Sequence, residues 1–345
     1  MGGLRHLALG ASLAAALLAG CVQAPPREPV VAPPPVAVPP SAEEPVVARD
    51  GEFAVVTAQA GESLATLAER WLGDRSQRTV IAEFNGIDEV RGGQVVAIPL
   101  RKKSPLGVSA NGVQALTILC YHRFGSRANP LTVTPAAFEA QMSYLARNGY
   151  QVVPLARVAA FLEGRESLPP KSVVITIDDG YRSMYDIAFP ILRRHRFPST
   201  VFLYSDFVGA PDALTWPQMR EMVASGLVEI QPHSKTHANL TVRLPDESEA
   251  RYRDRAKREV EAPVDVLRTQ LGVSAHAFAF PYGDVNDTVM GELRARNIKL
   301  GVTVTPGGNA FYAPPYMLRR TMIFGGDDLD AFRAKLVTTL PLARN

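Results

Sequence analysis

Residues 173–177, Val-Val-Ile-Thr-Ile, form a short β-branched and mostly apolar run that ends on Asp178–Asp179–Gly180. A run this short, bounded by a glycine, predicts a fully buried strand rather than a helix. Two adjacent carboxylates at the end of a buried strand are costly unless something compensates them. A metal ion is one such partner. A second segment, His233–Ser234–Lys235–Thr236–His237, carries residue types that would complete its shell.

At 345 residues the chain is long enough for two or three units, one with a sizeable core. Net charge is +3 and no dense Lys/Arg cluster occurs, which argues against nucleic acid as a partner. Two cysteines are too few for a disulfide framework. Cys120 lies in an apolar segment and is expected to be a buried core thiol.

The N-terminal residues 1–20 combine Arg5 with an uncharged apolar stretch over 7–20, too short to span a bilayer comfortably. The stretch ends Leu18–Ala19–Gly20–Cys21, which resembles a bacterial lipobox. That resemblance implies a cleaved signal peptide and lipidation of Cys21, hence a membrane partner. Val22–Gln23 lacks an Asp retention signal, so the expected location is the cell envelope, anchored in the outer membrane and facing the periplasm. Residues 22–50 hold nine prolines. Proline removes donors and fixes φ, so residues 21–51 are expected to be a disordered, extended linker. At ~3.1 Å per residue it would reach ~90 Å.

Residues 52–100 read as strand, two short helices and strand. Ser63 is a plausible N-cap, and Leu64, Leu67, Ala68 and Trp71 have helical spacing. The β-α-α-β order, the Gly61–Glu62–Ser63–Leu64 turn, Asn85 and the Gly93–Gln94…Ile98–Pro99 ending resemble a LysM domain. The resemblance implies binding to GlcNAc-containing polymers such as peptidoglycan. Residues 101–114 are a basic linker, and a large domain is expected over 115–340.

In that domain, strand patterns at 116–121, 151–153, 173–177, 200–203, 228–231, 277–280, 300–304 and 320–324 alternate with helical ones. Thr134–Pro135 and the Thr215–Trp216–Pro217–Gln218 box are helix starts. The charged stretch 247–271 is expected to be a solvated helix. Repeated β-α units predict an α/β domain with a parallel barrel, whose chemistry sits at the C-terminal strand ends. That rule collects His122, Asp178, Asp179, His233, His237 and the Pro281–Tyr282–Gly283–Asp284 turn on one rim. The i, i+4 spacing of His233 and His237 predicts one face of a helical turn. Two imidazoles and one carboxylate make a three-ligand site with an open position, the arrangement of a catalytic zinc; other divalent metals have the same donor preferences. Of the adjacent carboxylates, one would bind the metal and the other act as base.

Ile177–Asp178–Asp179–Gly180, the His233…His237 pair and Phe280–Pro281–Tyr282–Gly283 resemble the polysaccharide deacetylases of the NodB-homology class, carbohydrate esterase family four. Asp-Asp-Gly-Tyr, Leu119–Cys120–Tyr121–His122 and Thr215–Trp216 resemble the branch with poly-N-acetylglucosamine deacetylases. The resemblance implies a distorted (β/α)7-type barrel and metal-dependent N-deacetylation of a GlcNAc-containing polysaccharide, exopolysaccharide or peptidoglycan. It also implies roles: Asp178 as general base, Asp179, His233 and His237 as ligands of a divalent metal with zinc the default, and the backbone N–H of Tyr282 at the oxyanion. The chain departs from the family in two places. The late Leu-x-x-His motif has no histidine, which leaves His122 as the positional substitute for the acid and a protonated Asp178 as the alternative. The arginine two residues before the Pro-Tyr-Gly proline is Ala279, which leaves Arg320 as a candidate to orient Asp178. These departures keep open a catalytically weak or inactive peptidoglycan-binding lipoprotein, and a small-molecule amidohydrolase is a further alternative.

Overall fold

The computed structural model describes residues 46–49, 53–100, 107–109 and 112–341. The predicted leader, Cys21 and nearly all of the Pro-rich linker lie outside the described residues.

The small N-terminal unit is a three-stranded antiparallel sheet with two helices. Strand Phe53–Thr57 is central, between Val46–Arg49 and Val95–Pro99. Val46–Arg49 falls in the stretch expected to be linker; its Val-Val-Ala-Arg run has enough β-propensity to add an edge strand. Ala54, Val56, Val96 and Ile98 pack against Leu67, Ala68 and Ile81 of the helices. Ser63 caps helix Leu64–Leu72, its Oγ accepting the Thr66 N–H at 3.2 Å while Thr66 Oγ1 accepts the Ser63 N–H at 2.8 Å. Asn85, the last residue of helix Arg78–Asn85, accepts from Ala97 N at 2.9 Å and donates to Ala97 O at 2.7 Å. The side chain imitates a strand neighbour and fastens that helix to the sheet.

The large unit is built on parallel strands: β1 (Thr117–Tyr121), β2 (Ser172–Asp179), β3 (Ser199–Leu203), β4 (Val228–Pro232), β5 (Ala277–Ala279), β6 (Leu300–Val302) and β7 (Thr321–Met322). The main sheet runs β4-β3-β2-β1-β7, all parallel, and β5 pairs with β6. Two side-chain or single-bridge contacts join the two sheets. Gln231 Oε1 accepts the amides of His276 at 2.9 Å and Ala277 at 3.1 Å, standing in for a ladder between β4 and β5. Leu318 bridges Val302, with Thr303 N–H donating to Leu318 O at 2.8 Å, on the other flank. The result is an α/β domain of parallel strands, as the alternating pattern predicts, and its seven strands are consistent with the distorted (β/α)7-type barrel that the resemblance implies. The eighth strand candidate survives only as Gln151–Val152 beside the start of β2.

Strand parity then decides which way each residue points. Val173, Ile175 and Ile177 face Phe138, Met142, Leu192 and Met219 of the surrounding helices. Val174 faces inward with Ile118, Phe202, Ala279, Val302 and Leu318. Asp178 shares the parity of Val174 and so ends inside the barrel mouth. Helix Glu249–Leu271 begins at the Ser248 cap and ends on Gly272 at φ 68°. Its expected solvated character holds for most of its length, but Glu259 is buried, which the charge pattern did not foretell.

Candidate functional site

Asp178 is 1% exposed and Arg320 is fully buried. Arg320 Nη1 donates to Asp178 Oδ1 and Nη2 to Oδ2, each at 2.6 Å. The guanidinium is held in turn by Thr303 O, accepting from Nε at 2.8 Å, and by Thr176 Oγ1 at 3.1 Å. Burial by itself pushes the Asp178 carboxyl up, but the Arg320 charge outweighs it and holds the group well below the usual carboxylate range. Arg320 thus reaches both oxygens of the carboxylate from the residue just before β7. Cys120 Sγ lies 3.6 Å from Asp178 Oδ2, and burial pushes its thiol up, so it stays a neutral donor.

Strand parity alone would turn Asp179 out toward the helices. Its backbone instead adopts φ 74°, followed by Gly180 at φ 83°, and the left-handed step swings the carboxylate back to the rim. Its Oδ1 lies 3.2 Å from His237 Nε2 and 3.6 Å from His233 Nε2. The two histidines do not share a helical turn. Ser234 and His237 have φ of 71° and 63°, so 233–237 is a loop, closed by Ser234 Oγ accepting the His237 N–H at 2.9 Å. The spacing brings both imidazoles to one place by a route other than the expected one, because two left-handed residues interrupt any helix.

The donor chemistry can be tested against a cation. His233 Nδ1 donates to Ala279 O at 2.8 Å, so the neutral ring carries its lone pair on Nε2, facing the carboxylates. Burial pushes the His233 pKa down and favours that neutral form. Asp179 Oδ1 is buried with no hydrogen-bond partner. Burial raises the Asp179 pKa, yet the His237 contact and the nearby His233 bring it below the ordinary value. Three electron-pair donors thus converge, all within 4.8 Å of one another. Ligands at ~2.0–2.1 Å around a tetrahedral ion lie ~3.3 Å apart, close to the spacing of Asp179 and its two histidines. Asp179, His233 and His237 fit a divalent metal.

The other rim candidates fall around this centre. A ring nitrogen of His122, Cys120 Sγ and an Asp178 carboxylate oxygen lie within 4.8 Å of one another, and His122 Nδ1 is buried without a hydrogen-bond partner. Tyr282 sits at φ 62°, 61% exposed, with its ring 5.0 Å from that of His237. Trp216 packs on the core beneath the rim. His276 points away and pairs with Glu229 at 2.8 Å. His195 meets Glu139 at 2.7 Å and stacks on Phe197. Sequence reasoning missed Tyr204, whose ring lies 5.2 Å from His237 and stacks on Phe207. Burial first, then the neighbouring Tyr181 and Asp179, push the Tyr204 hydroxyl up to about 12. Tyr204 directly follows β3, so the strand-end rule applied to aromatic residues would have found it.

Residues 165–303 match the polysaccharide deacetylase family model, a span that includes Asp178, Asp179, His233, His237 and Tyr282 but not His122 or Arg320. The chain is 30% identical over 243 residues to a poly-beta-1,6-N-acetyl-D-glucosamine N-deacetylase of Escherichia coli K12, covering 60% of this chain and 36% of that protein. It thus spans about a third of the length of that curated relative. Among solved structures, a Streptococcus pyogenes deacetylase in complex with acetate superposes with a TM-score of 0.58 at 26% identity, covering 65% of this chain and 98% of that one. IcaB from Ammonifex degensii superposes with a TM-score of 0.56 at 28% identity, covering 64% of this chain and 94% of that one.

Proposed function

We propose that the chain hydrolyses N-acetyl groups of a GlcNAc-containing polysaccharide at the cell envelope, releasing acetate, a reading supported by the match of residues 165–303 to the polysaccharide deacetylase family model. The observation that carries the reading is the convergence of Asp179, His233 and His237, with Asp178 clamped beside them by Arg320. The E. coli relative is named for N-deacetylation of such a polymer, and the streptococcal structure holds acetate, which this reaction would release.

Asp179, His233 and His237 would hold a divalent ion, zinc by default. When bound, such an ion polarises the acetamide carbonyl and lowers the pKa of water from 15.7 to about 7. Asp178, ionised and aimed by Arg320, accepts the proton of the water that attacks the carbonyl carbon. The Tyr282 backbone N–H donates to the developing oxyanion. Cleavage of the C–N bond then needs a proton on the departing amine. Asp178 holds the proton taken from water, and His122, with a ring nitrogen within 4.8 Å of an Asp178 carboxylate oxygen, is placed to deliver one to nitrogen.

The unit over 52–100 would bind the glycan as a LysM-like module and raise its local concentration. Lipidation at Cys21 would tether the chain to the outer membrane, facing the periplasm. The test is incubation of metal-loaded protein with poly-N-acetylglucosamine and with peptidoglycan, measuring acetate and free amines with and without a chelator. Chelator-sensitive acetate release that Asp178→Asn abolishes supports the reading. No release from either polymer leaves a glycan-binding lipoprotein.

A further inference from the structure

The loop that carries His233 and His237 is held from behind by a carboxylate 22 residues further on, counted from His237 to Glu259. Glu259 is 5% exposed, on helix Glu249–Leu271. Its Oε2 accepts the N–H of Lys235 at 3.0 Å and of Thr236 at 2.9 Å, and its Oε1 accepts the Thr236 hydroxyl at 2.8 Å. All three contacts are donated by residues lying between the two histidines. On the opposite side the loop is tied to the turn after β3, where Ser205 N–H donates to Ser234 O at 3.3 Å and Asp206 N–H to Lys235 O at 3.0 Å.

We propose that Glu259 is a positioning residue for the metal centre. The loop contains two non-glycine residues in the left-handed region, Ser234 and His237, a conformation such residues rarely hold unaided. An ionised carboxylate with two acceptor oxygens is the side chain suited to gather two adjacent backbone N–H groups and a hydroxyl at once. By fixing Lys235 and Thr236, Glu259 sets the distance between the flanking imidazoles. It also places a negative charge behind a cluster that would hold a cation. Outer partners of this kind usually change metal affinity about 10–100-fold when removed. This inference rests on the metal reading of the site.

The experiment measures zinc affinity by competition with a chromogenic chelator for the full chain, for E259A, for E259Q and for E259D, alongside thermal unfolding without metal. Glutamine can keep the contacts, its carbonyl taking the two N–H groups and its amide facing the Thr236 oxygen, but it removes the charge. The expected order of affinity is wild type, then E259Q, then E259A, with E259A down about 10–100-fold and its kcat recovered at saturating zinc. Wild-type affinity in E259A, with only its unfolding temperature lowered, overturns the proposal and leaves a merely structural glutamate. If E259A does not fold, E259D decides, because its shorter side chain keeps the charge but withdraws from the Lys235 and Thr236 donors: an affinity equal to wild type overturns it. A wild-type protein that takes up no zinc overturns the parent reading, and this one with it; unchanged variant affinity overturns this one alone.

Discussion

Arg320→Met removes the cation that makes the Asp178 site tolerable. The guanidinium is fully buried and gives four hydrogen bonds, two of them at 2.6 Å to both oxygens of a carboxylate that is itself 1% exposed. Methionine preserves much of the volume, so the loss is electrostatic rather than a cavity. Breaking a buried pair by deleting one partner typically costs about 3–5 kcal/mol, because a charge is left uncompensated in a low-dielectric site. For a domain of this size each kcal/mol shifts the unfolding temperature by about 2–4 °C, so R320M should melt about 6–20 °C lower. Calorimetry at neutral pH reads this directly. The pairing argument adds a second requirement. R320M/D178N strands no charge and should be more stable than R320M alone, although it lacks one more native side chain. Arg320→Lys, which keeps the charge but loses the fork, should fall between wild type and R320M. A loss below about 1 kcal/mol in R320M, or a double variant no more stable than R320M, would refute the claim that Asp178 depends on this arginine.

Gly180→Ala should destabilise by about 1–3 kcal/mol, because Gly180 sits at φ 83° and an added Cβ would collide with Leu203 Cδ1; an unchanged melting curve would contradict the backbone account of the Asp-Asp-Gly turn. Hydrogen bonds from Arg255, at 2.8 Å to each Glu247 oxygen, take the Glu247 carboxyl from its ordinary 4.5 down to about 2. A depressed acid stabilises the fold above its unfolded value and loses that contribution as pH falls toward the folded value. The melting difference between wild type and E247Q should therefore be full at pH 7 and shrink between 4.5 and about 2; a difference that does not shrink across that window would contradict it. Removing residues 46–100 should lower acetate release from polymer and leave release from a short oligosaccharide unchanged; equal rates on polymer would remove any glycan-concentrating role for that unit.

Much of the site was legible because its residues lie next to periodic signals. Asp178 and Asp179 close the clearest strand of the chain, and the strand-end rule brought His122 and Tyr282 to the same rim. What lay beyond reach depends on contacts between distant segments. Arg320 meets Asp178 across 142 residues, and position alone made it only a candidate. Glu259 is one acidic residue among many in a charged helix, and no periodicity distinguishes the one that turns inward. The helical turn expected for His233 and His237 fails because φ at Ser234 and His237 is set by the hydrogen bonds of the folded loop. The barrel's two irregular joints escaped notice for a similar reason, since at one of them a glutamine side chain replaces a strand ladder.

The most direct test of the central claim is metal content and acetate release measured on the same preparations of wild type, H237A and D178N, after stripping and reloading. Three ligands around one open site predict about one equivalent of divalent metal in wild type and in D178N, with acetate released only by wild type, and clearly less metal in H237A. Full metal content in H237A, or wild-type acetate release by D178N, would contradict the assignment of one residue set to the ion and of Asp178 to the attacking water.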